Sequence, residues 1–195
     1  MKIGIMGGTF DPIHIGHLLA AERAGEAGEL DEVWIMPANV PPHKPHAPRA
    51  DSRHRLEMTR LAAMSNPRLS VTDFELVKGG TSYTVDTMKE LALRNPQAEF
   101  SYIMGADMIM YLPKWHRIDE LARIVRFIGV ARPGFALRVD ELDPSLQERI
   151  TIVPMPQLDI SSTEIRARRQ AGLSVRYLVS DSVLDYMEVN RLYET

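Results

Sequence analysis

Short apolar runs alternate with helical segments along this chain of 195 residues, and this alternation strongly constrains its fold. The apolar runs predict buried strands at residues 3–6, 32–36, 69–77, 100–104, 126–131 and 150–153. Helical spacing predicts helices at 16–28, 51–65, 83–94, 118–123 and 144–149, and two helical pieces after 161 that break near Gly172. Strands separated by helices form a parallel sheet with right-handed crossovers. We therefore predict a doubly wound α/β fold in one domain, 1–195, with helices on both sheet faces and a small helical C-terminal part over about 161–195.

The composition excludes several kinds of chemistry. The chain contains no cysteine, so disulfides, thiolate nucleophiles and Cys-ligated metal sites are excluded. The formal net charge of -3 argues against a protein that binds nucleic acid along a basic surface. Residues 40–60 and 161–176 are nevertheless rich in Lys and Arg, which suits small anionic ligands. Because no apolar stretch approaches about 20 residues and no targeting segment is recognisable, we expect a cytoplasmic protein without a membrane partner.

The segment 7–17 (GGTFDPIHIGH) joins the first predicted strand to the first predicted helix. Gly7 and Gly8 let the backbone approach a ligand closely, and the N-terminus of the following helix attracts phosphate. His14 and His17 are three residues apart, so both imidazoles can face the same side of the first turn. A tight turn with incidental histidines explains the glycines alone, and a metal site lacks further ligands. A phosphate site explains the glycines, the helix start and the imidazoles together.

A second candidate phosphate site, ISSTEIR, opens the helical C-terminal part. Ser161 and Glu164 fit a capping box, and helix capping alone would account for these two residues. Arg166, Arg168 and Arg169 then place cations close to the helix N-terminus, where they are unfavourable to the helix dipole. We therefore expect an anionic ligand to compensate these arginines.

Both segments carry a resemblance to a known superfamily. The first resembles the GG(S/T)FDPxHxGH signature of the HxGH nucleotidylyltransferases, which are relatives of class I aminoacyl-tRNA synthetases. The second is similar to the ISSTxxR motif of the same superfamily, which holds the β- and γ-phosphates of ATP. The resemblance implies a Rossmann-like fold that uses ATP as a substrate.

Intervening motifs narrow the resemblance to the nicotinate-nucleotide adenylyltransferase family, over essentially the whole chain. They are PPHK at 41–44, SYT at 82–84, GAD at 105–107 and LPKW at 112–115. The implied reaction joins nicotinate mononucleotide to the adenylyl group of ATP and yields deamido-NAD and diphosphate. Such a transfer needs no enzyme nucleophile or general base, because the substrate phosphate is mostly dianionic at neutral pH. Mg²⁺ that bridges phosphate oxygens is the expected cofactor.

The resemblance also implies roles for individual residues. The residues implied to be catalytic are His14, His17 and Arg166. Those implied to bind ATP are Gly7, Gly8, Thr9, Phe10, His14, His17, Gly105, Asp107, Ser161, Ser162, Thr163 and Arg166. Those implied to bind the second substrate are Lys44, Thr84, Tyr111 and Trp115. Magnesium is expected to be held mainly by the phosphates, with no protein metal ligand.

Other interpretations stay open. Trp115 could be a packing residue, Asp107 a helix cap and Lys44 a solvated loop charge. Pantetheine-phosphate adenylyltransferases share both terminal motifs, although they are usually shorter and lack the GAD…W pattern. A non-catalytic nucleotide sensor and an RNA-binding module are alternatives of other classes, and the acidic net charge counts against the latter. The residues leave open the choice between the acid and the amide of the mononucleotide, and a homo-oligomer is compatible with them.

Overall fold

Six parallel strands form one sheet in this computed structural model, within the described residues 1–39, 47–131 and 138–194. The strands are β1 (Lys2–Gly8), β2 (Glu32–Pro37), β3 (Leu69–Val71), β4 (Glu99–Gly105), β5 (Val125–Ala131) and β6 (Ile150–Pro154). Their order across the sheet is β3-β2-β1-β4-β5-β6, so the direction of winding reverses between β1 and β4. In α/β sheets, ligands bind beyond the carboxyl ends of the strands at such a reversal.

Helices cover both faces of this sheet, as predicted. They are α1 (Ile15–Ala27), α2 (Ser52–Ala63), α3 (Phe74–Lys78), α4 (Thr84–Arg94), α5 (Ala106–Ile109), α6 (Ile118–Ile124), α7 (Pro144–Gln147), α8 (Ser162–Gln170) and α9 (Asp181–Val189). Short 3₁₀ turns occur at Leu112–Lys114 and Val139–Glu141. Helices α1, α2, α8 and α9 contribute to one buried apolar cluster, and α4, α5 and α6 contribute to the other. Within the described ranges, no helix is both long and apolar enough to cross a bilayer.

The prediction of a strand over 69–77 is wrong in its second half. Strand β3 ends at Val71, and α3 begins at Phe74. The hydroxyl of Thr72 accepts the backbone N–H of Phe74 at 3.3 Å, which supports the turn into the helix. Val77 is 78% exposed, so the apolar letters of this segment do not mark a buried strand. Strand β3 lies at the edge of the sheet, so it pairs on one side only, and its three residues pair with β2.

The helical C-terminal part packs into the same core as α1 and α2. Buried side chains of this part, Ile165, Val175, Val179, Val183, Leu184 and Met187, join the cluster that includes Ala21 and Met58. The predicted break near Gly172 is confirmed, since α8 ends at Gln170 and Gly172 adopts a left-handed φ of 67°. Glycine adopts that conformation without a steric penalty. The single domain over 1–195 stays a prediction.

Gly129 lies in β5 at a position where an added methyl group is expected to destabilise the fold. A Cβ on Gly129 would stand 2.7 Å from Cγ1 of Ile109 and 2.9 Å from Cδ1 of Ile152. We expect Gly129→Ala to lower the free energy of unfolding in urea by about 2 kcal/mol through overpacking. Gly25→Ala in α1 is the control, because its Cβ would meet Val33 at an ordinary 3.4 Å and alanine favours a helix by up to about 1 kcal/mol. Equal destabilisation by both changes would contradict this expectation.

Candidate active site

A large cavity opens where β1 and β4 lie side by side. Its volume is about 1300 Å³, above the range of roughly 300–1,000 Å³ that is typical for one small ligand. The loop after β1, the start of α5 after β4 and the N-terminus of α8 form much of its wall. The cavity therefore lies at the carboxyl ends of the strands where the winding reverses.

All residues predicted to bind ATP line this cavity. They are Gly7, Gly8, Thr9, Phe10, His14, His17, Gly105, Asp107, Ser161, Ser162, Thr163 and Arg166. The structure thus brings together the two sequence motifs and the GAD segment, which are separated by most of the chain. The residues predicted to bind the second substrate are placed differently, because Thr84, Tyr111 and Trp115 are not among those that line the cavity.

His14 and His17 form a stacked pair at the start of α1. His14 is the N-cap residue of the helix, and its backbone N–H donates to Nδ1 of His17 at 3.2 Å. The two ring centroids are 3.7 Å apart with an interplanar angle of 23°, so the rings share one side as predicted. The ring of Phe10, which is only 3% exposed, packs edge to face on His17 at 5.0 Å. Because Nδ1 of His17 accepts, the neutral imidazole carries its proton on Nε2.

The second motif docks directly on the first. The Ser162 hydroxyl donates to the carbonyl oxygen of Pro12 at 2.8 Å, and Nη1 of Arg166 donates to the carbonyl oxygen of Asp11 at 2.7 Å. The hydroxyl of Ser161 accepts the backbone N–H of Glu164 at 3.1 Å, so the predicted cap is present. These contacts fix the N-terminus of α8 against the β1–α1 loop and place a guanidinium at the cavity.

The expectation that three arginines crowd the N-terminus of α8 is wrong for two of them. Arg168 and Arg169 lie in the last turn of the helix, where cations are favourable to the dipole. Nε of Arg168 donates to the carbonyl oxygen of Ser174 at 2.9 Å, and Arg169 pairs with Glu194 at 2.6 Å. Arg166 is therefore the arginine of this group that lines the cavity.

Gly105 and Asp107 form the wall at the end of β4. Gly105 is the N-cap residue of α5, and Asp107 lies in the first turn of that helix. A Cβ on Gly105 would stand 2.5 Å from Oδ1 of Asp107. The missing side chain of Gly105 thus leaves room for this carboxylate beside the cavity.

Tyr102 connects two of the residues predicted to bind the second substrate, and sequence reasoning missed it. Its hydroxyl hydrogen-bonds with Thr84, and its ring packs edge to face on Trp115 at 5.7 Å. A Cβ on Gly7 would collide with this hydroxyl, so Gly7 lets β1 approach Tyr102. Burial is the main cause that raises the pKa of Tyr102, so the hydroxyl stays protonated. Thr84 and Trp115 therefore contact Tyr102, whose hydroxyl lies against Gly7 of the cavity wall.

The two other residues predicted for the second substrate have less structural support. Tyr111 is 54% exposed, and the ammonium of Lys114 lies 5.4 Å from its ring centroid. Lys44, together with the PPHK motif, lies outside the described residues. The contacts of Lys44 and Tyr111 with a substrate stay predictions.

A buried arginine supports the loop that follows β1. Arg55 is 2% exposed, and its Nη1 donates to the carbonyl oxygens of Thr9 and Ala38, each at 2.8 Å. Burial lowers the pKa of Arg55 from its usual value, while the charge of Asp11 opposes that effect. The sequence holds a signal for this residue, since Arg55 lies three residues before Met58 on the apolar face of α2.

Glu75 is a buried carboxyl group whose titration should affect stability. It is 5% exposed, and the Thr87 hydroxyl donates to it at 2.9 Å. Burial raises the pKa of Glu75 above its usual value, although hydrogen bonds from Ser82 and Thr87 oppose the rise. The folded chain therefore binds the proton of the Glu75 carboxyl group more tightly than the unfolded chain does. The free energy of unfolding falls as the pH rises from the pKa of Glu75 in the unfolded chain to its pKa in the folded chain.

Glu75→Gln removes this titration and is expected to change the pH profile. As the pH rises above about 4, the ordinary pKa of a glutamate, the parent should lose stability relative to the variant. The measurement is the free energy of unfolding in urea at several pH values for both proteins. Parallel profiles would show that Glu75 has no raised pKa in the folded chain.

Comparison with known proteins agrees with the geometry. Residues 5–168 match the cytidylyltransferase-like family. A nicotinate-nucleotide adenylyltransferase of Bacillus subtilis is 46% identical over 194 residues, which cover 100% of this chain and 99% of that protein. The chain belongs to this adenylyltransferase family. A probable member from Oceanobacillus iheyensis is 45% identical over 98% of this chain and 96% of its own length.

Solved structures agree with the family assignment at the level of the fold. The nicotinic acid mononucleotide adenylyltransferase of Plasmodium falciparum, complexed with NaAD, superposes with a TM-score of 0.77 at 21% identity. The match covers 99% of this chain and 97% of that one. The same Plasmodium enzyme complexed with APC gives a TM-score of 0.74 at 20% identity. This adenylyltransferase family member thus has the Rossmann-like fold that the sequence predicted.

Proposed function

We propose that this chain transfers the adenylyl group of ATP to nicotinate mononucleotide, giving deamido-NAD and diphosphate, in the biosynthesis of NAD in the cytoplasm. The observation that carries the proposal is the meeting of two phosphate-binding motifs at one cavity, through the contacts of Ser162 and Arg166 with the loop after β1. The full-length identity of 45–46% with relatives named for this reaction supports the same pair of substrates. Nucleic acid and membrane are not partners in this proposal.

The residues of the cavity suit an in-line transfer between two anions. A phosphate oxygen of the mononucleotide forms a bond to the α-phosphorus of ATP, and the bond from that phosphorus to the bridging oxygen of the β-phosphate breaks. The leaving group departs as diphosphate, so no bond to the protein is needed. Positioning and charge neutralisation therefore supply the rate enhancement.

His17 and Arg166 are the donors best placed for this task. The Nε2–H of His17 would donate to a phosphate oxygen, since its Nδ1 is occupied by the backbone of His14. The Arg166 guanidinium would neutralise the charge that develops on the leaving diphosphate. The hydroxyls of Ser162 and Thr163 and the N-terminus of α8 would bind the same group.

Magnesium fits this site as an ion that arrives with ATP. In the described part of the chain, the carboxylates on the cavity belong to Asp11 and Asp107, and Asp11 already accepts three hydrogen bonds. The described residues contain no group of three metal-ligating side chains. Mg²⁺ is usually bound by few carboxylates and by substrate phosphates, so we propose that the phosphates supply most of its ligands. When bound, the ion neutralises phosphate charge.

The nicotinate end of the substrate is proposed to bind near Tyr102. Trp115 and Thr84 flank Tyr102, and an aromatic side chain can stack on a flat pyridine ring. Nε1 of Trp115 is buried and has no hydrogen-bond partner among the described residues. An acceptor on the substrate, such as the carboxylate of nicotinate, would satisfy this N–H. We propose that Lys44 contacts the substrate phosphate and that Tyr111 lies beside the ring.

A panel of three phosphorylated acceptors tests the proposal against its alternatives. Diphosphate release is measured with ATP and nicotinate mononucleotide, its amide, or phosphopantetheine. We expect the highest kcat/KM with nicotinate mononucleotide. Preference for phosphopantetheine would support a pantetheine-phosphate adenylyltransferase, and ATP binding without diphosphate release from any acceptor would support a nucleotide sensor.

A further inference from the structure

The Asp11 carboxylate joins distant segments of the chain beside the cavity. The side chain is buried, with 5% of the residue exposed. Its Oδ2 accepts the backbone N–H of Arg49 at 2.8 Å. Its Oδ1 accepts the backbone N–H of Ala50 at 3.0 Å and the hydroxyl of Tyr193 at 2.7 Å. Nη1 of Arg166 binds the backbone carbonyl of Asp11 and lies 3.8 Å from Oδ2.

Tyr193 belongs to the segment after α9, and two side-chain contacts hold this segment against the first motif and against α8. Its hydroxyl binds Asp11 of the first motif, while the neighbouring Glu194 pairs with Arg169 of α8 at 2.6 Å. Tyr193 is 9% exposed and has a φ of 63°, a conformation that costs free energy for a residue with a side chain. Burial and the Asp11 carboxylate raise the pKa of Tyr193, so its hydroxyl stays a donor at neutral pH.

We propose that Tyr193 is a positioning residue for adenylyl transfer, because its hydroxyl fixes the Asp11 carboxylate and thereby the Arg166 guanidinium. This inference rests on the proposed function. The same carboxylate also fixes the backbone of residues 49–50, which follow the Pro-rich segment. A residue that only fills the core would need the ring alone, and phenylalanine supplies that ring.

The hydroxyl controls how Asp11 and Arg166 interact. While Tyr193 donates to Oδ1, the carboxylate is held in an orientation in which Oδ2 stays 3.8 Å from Nη1 of Arg166. Without that donor, the backbone N–H groups of Arg49 and Ala50 alone hold the carboxylate, and it can move towards the guanidinium, so that the 3.8 Å contact becomes a closer, hydrogen-bonded ion pair. The positive charge of Arg166 would then be partly neutralised inside the protein, and less of it would act on the leaving diphosphate. Since charge on that group develops in the transition state, the loss should fall on kcat.

Tyr193→Phe tests this proposal, with Tyr186→Phe as the matched control. The hydroxyl of Tyr186 also has a side-chain partner, Nδ1 of His54 at 3.0 Å, but Tyr186 is not part of the cavity. The kcat and the KM for ATP are measured with saturating nicotinate mononucleotide and corrected for the folded fraction. We expect Tyr193→Phe to lower kcat about tenfold with a change in KM below about threefold, and Tyr186→Phe to leave both unchanged.

The same change in an Arg166→Lys background supplies a readout that a structural role would not move. If Tyr193 acts through Asp11 on the guanidinium, its effect on kcat should shrink to less than about twofold there. An equal factor in both backgrounds, or equal behaviour of Tyr193→Phe and Tyr186→Phe, would overturn the positioning role while an active parent leaves the proposed function in place. A parent that releases no diphosphate would overturn both.

Discussion

Replacing His17 by alanine is expected to lower the kcat for diphosphate release by about 10²-fold, the cost of losing one preorganised donor. His17 lines the cavity, and its Nδ1 accepts the backbone N–H of His14. The proton of the neutral ring is therefore on Nε2, which we expect to donate to a phosphate oxygen. The measurement is single-turnover diphosphate release with saturating ATP and nicotinate mononucleotide.

Two further substitutions distinguish the hydrogen bond that Nε2 of His17 is expected to donate from the one that its Nδ1 accepts. His17→Asn can keep an acceptor near the position of Nδ1 but has no donor at the position of Nε2, so its kcat should resemble that of the alanine variant. His17→Gln places an N–H near the position of Nε2 and should recover about tenfold of the loss. His54→Ala is the control, since His54 contacts Tyr186 away from the cavity. An unchanged kcat in His17→Ala, or full activity in His17→Asn, would contradict the assigned donor.

Arg55→Met is expected to lower the free energy of unfolding by about 3 kcal/mol, because two backbone carbonyls would lose a charged donor. Nη1 of Arg55 serves both Thr9 and Ala38 at 2.8 Å, and the side chain is almost fully buried. Methionine fills much of the space but cannot donate a hydrogen bond. Since Thr9 lines the cavity and is proposed to bind ATP, the KM for ATP should also rise.

Arg53→Met is the matched control for this change. Arg53 lies in the same helix but is exposed, and exposed substitutions usually change stability by less than about 0.5 kcal/mol. Both variants are unfolded in urea under the same conditions. Equal midpoints and slopes for the two variants would mean that the buried contacts of Arg55 do not support the loop.

The parts of the site that depend on local chain geometry were predictable from the sequence. The glycines, the helix start and the spacing of His14 and His17 are encoded within one short segment, and the stacked rings confirm their common side. The cap that Ser161 provides is equally local. The alternation of strands and helices predicted the parallel sheet, and the structure places both motifs at its carboxyl edge.

Residues that act through distant contacts could not be predicted in this way. Tyr102 supports the site because β4 pairs with β1 and brings its hydroxyl against Gly7. Tyr193 reaches Asp11 across 182 positions of sequence. The error over 69–77 has a related cause, because the apolar letters of α3 are read without knowing that Val77 faces outward. Each of these outcomes depends on tertiary packing, which overrides local pattern.

The most direct test of adenylyl transfer follows a radioactive label at the α-phosphorus of ATP through one turnover with nicotinate mononucleotide. We predict that the label appears in deamido-NAD at the same rate as diphosphate is released, and in equal amount. Label recovered as AMP, bound covalently to the protein, or only in unreacted ATP would contradict direct transfer between the two substrates.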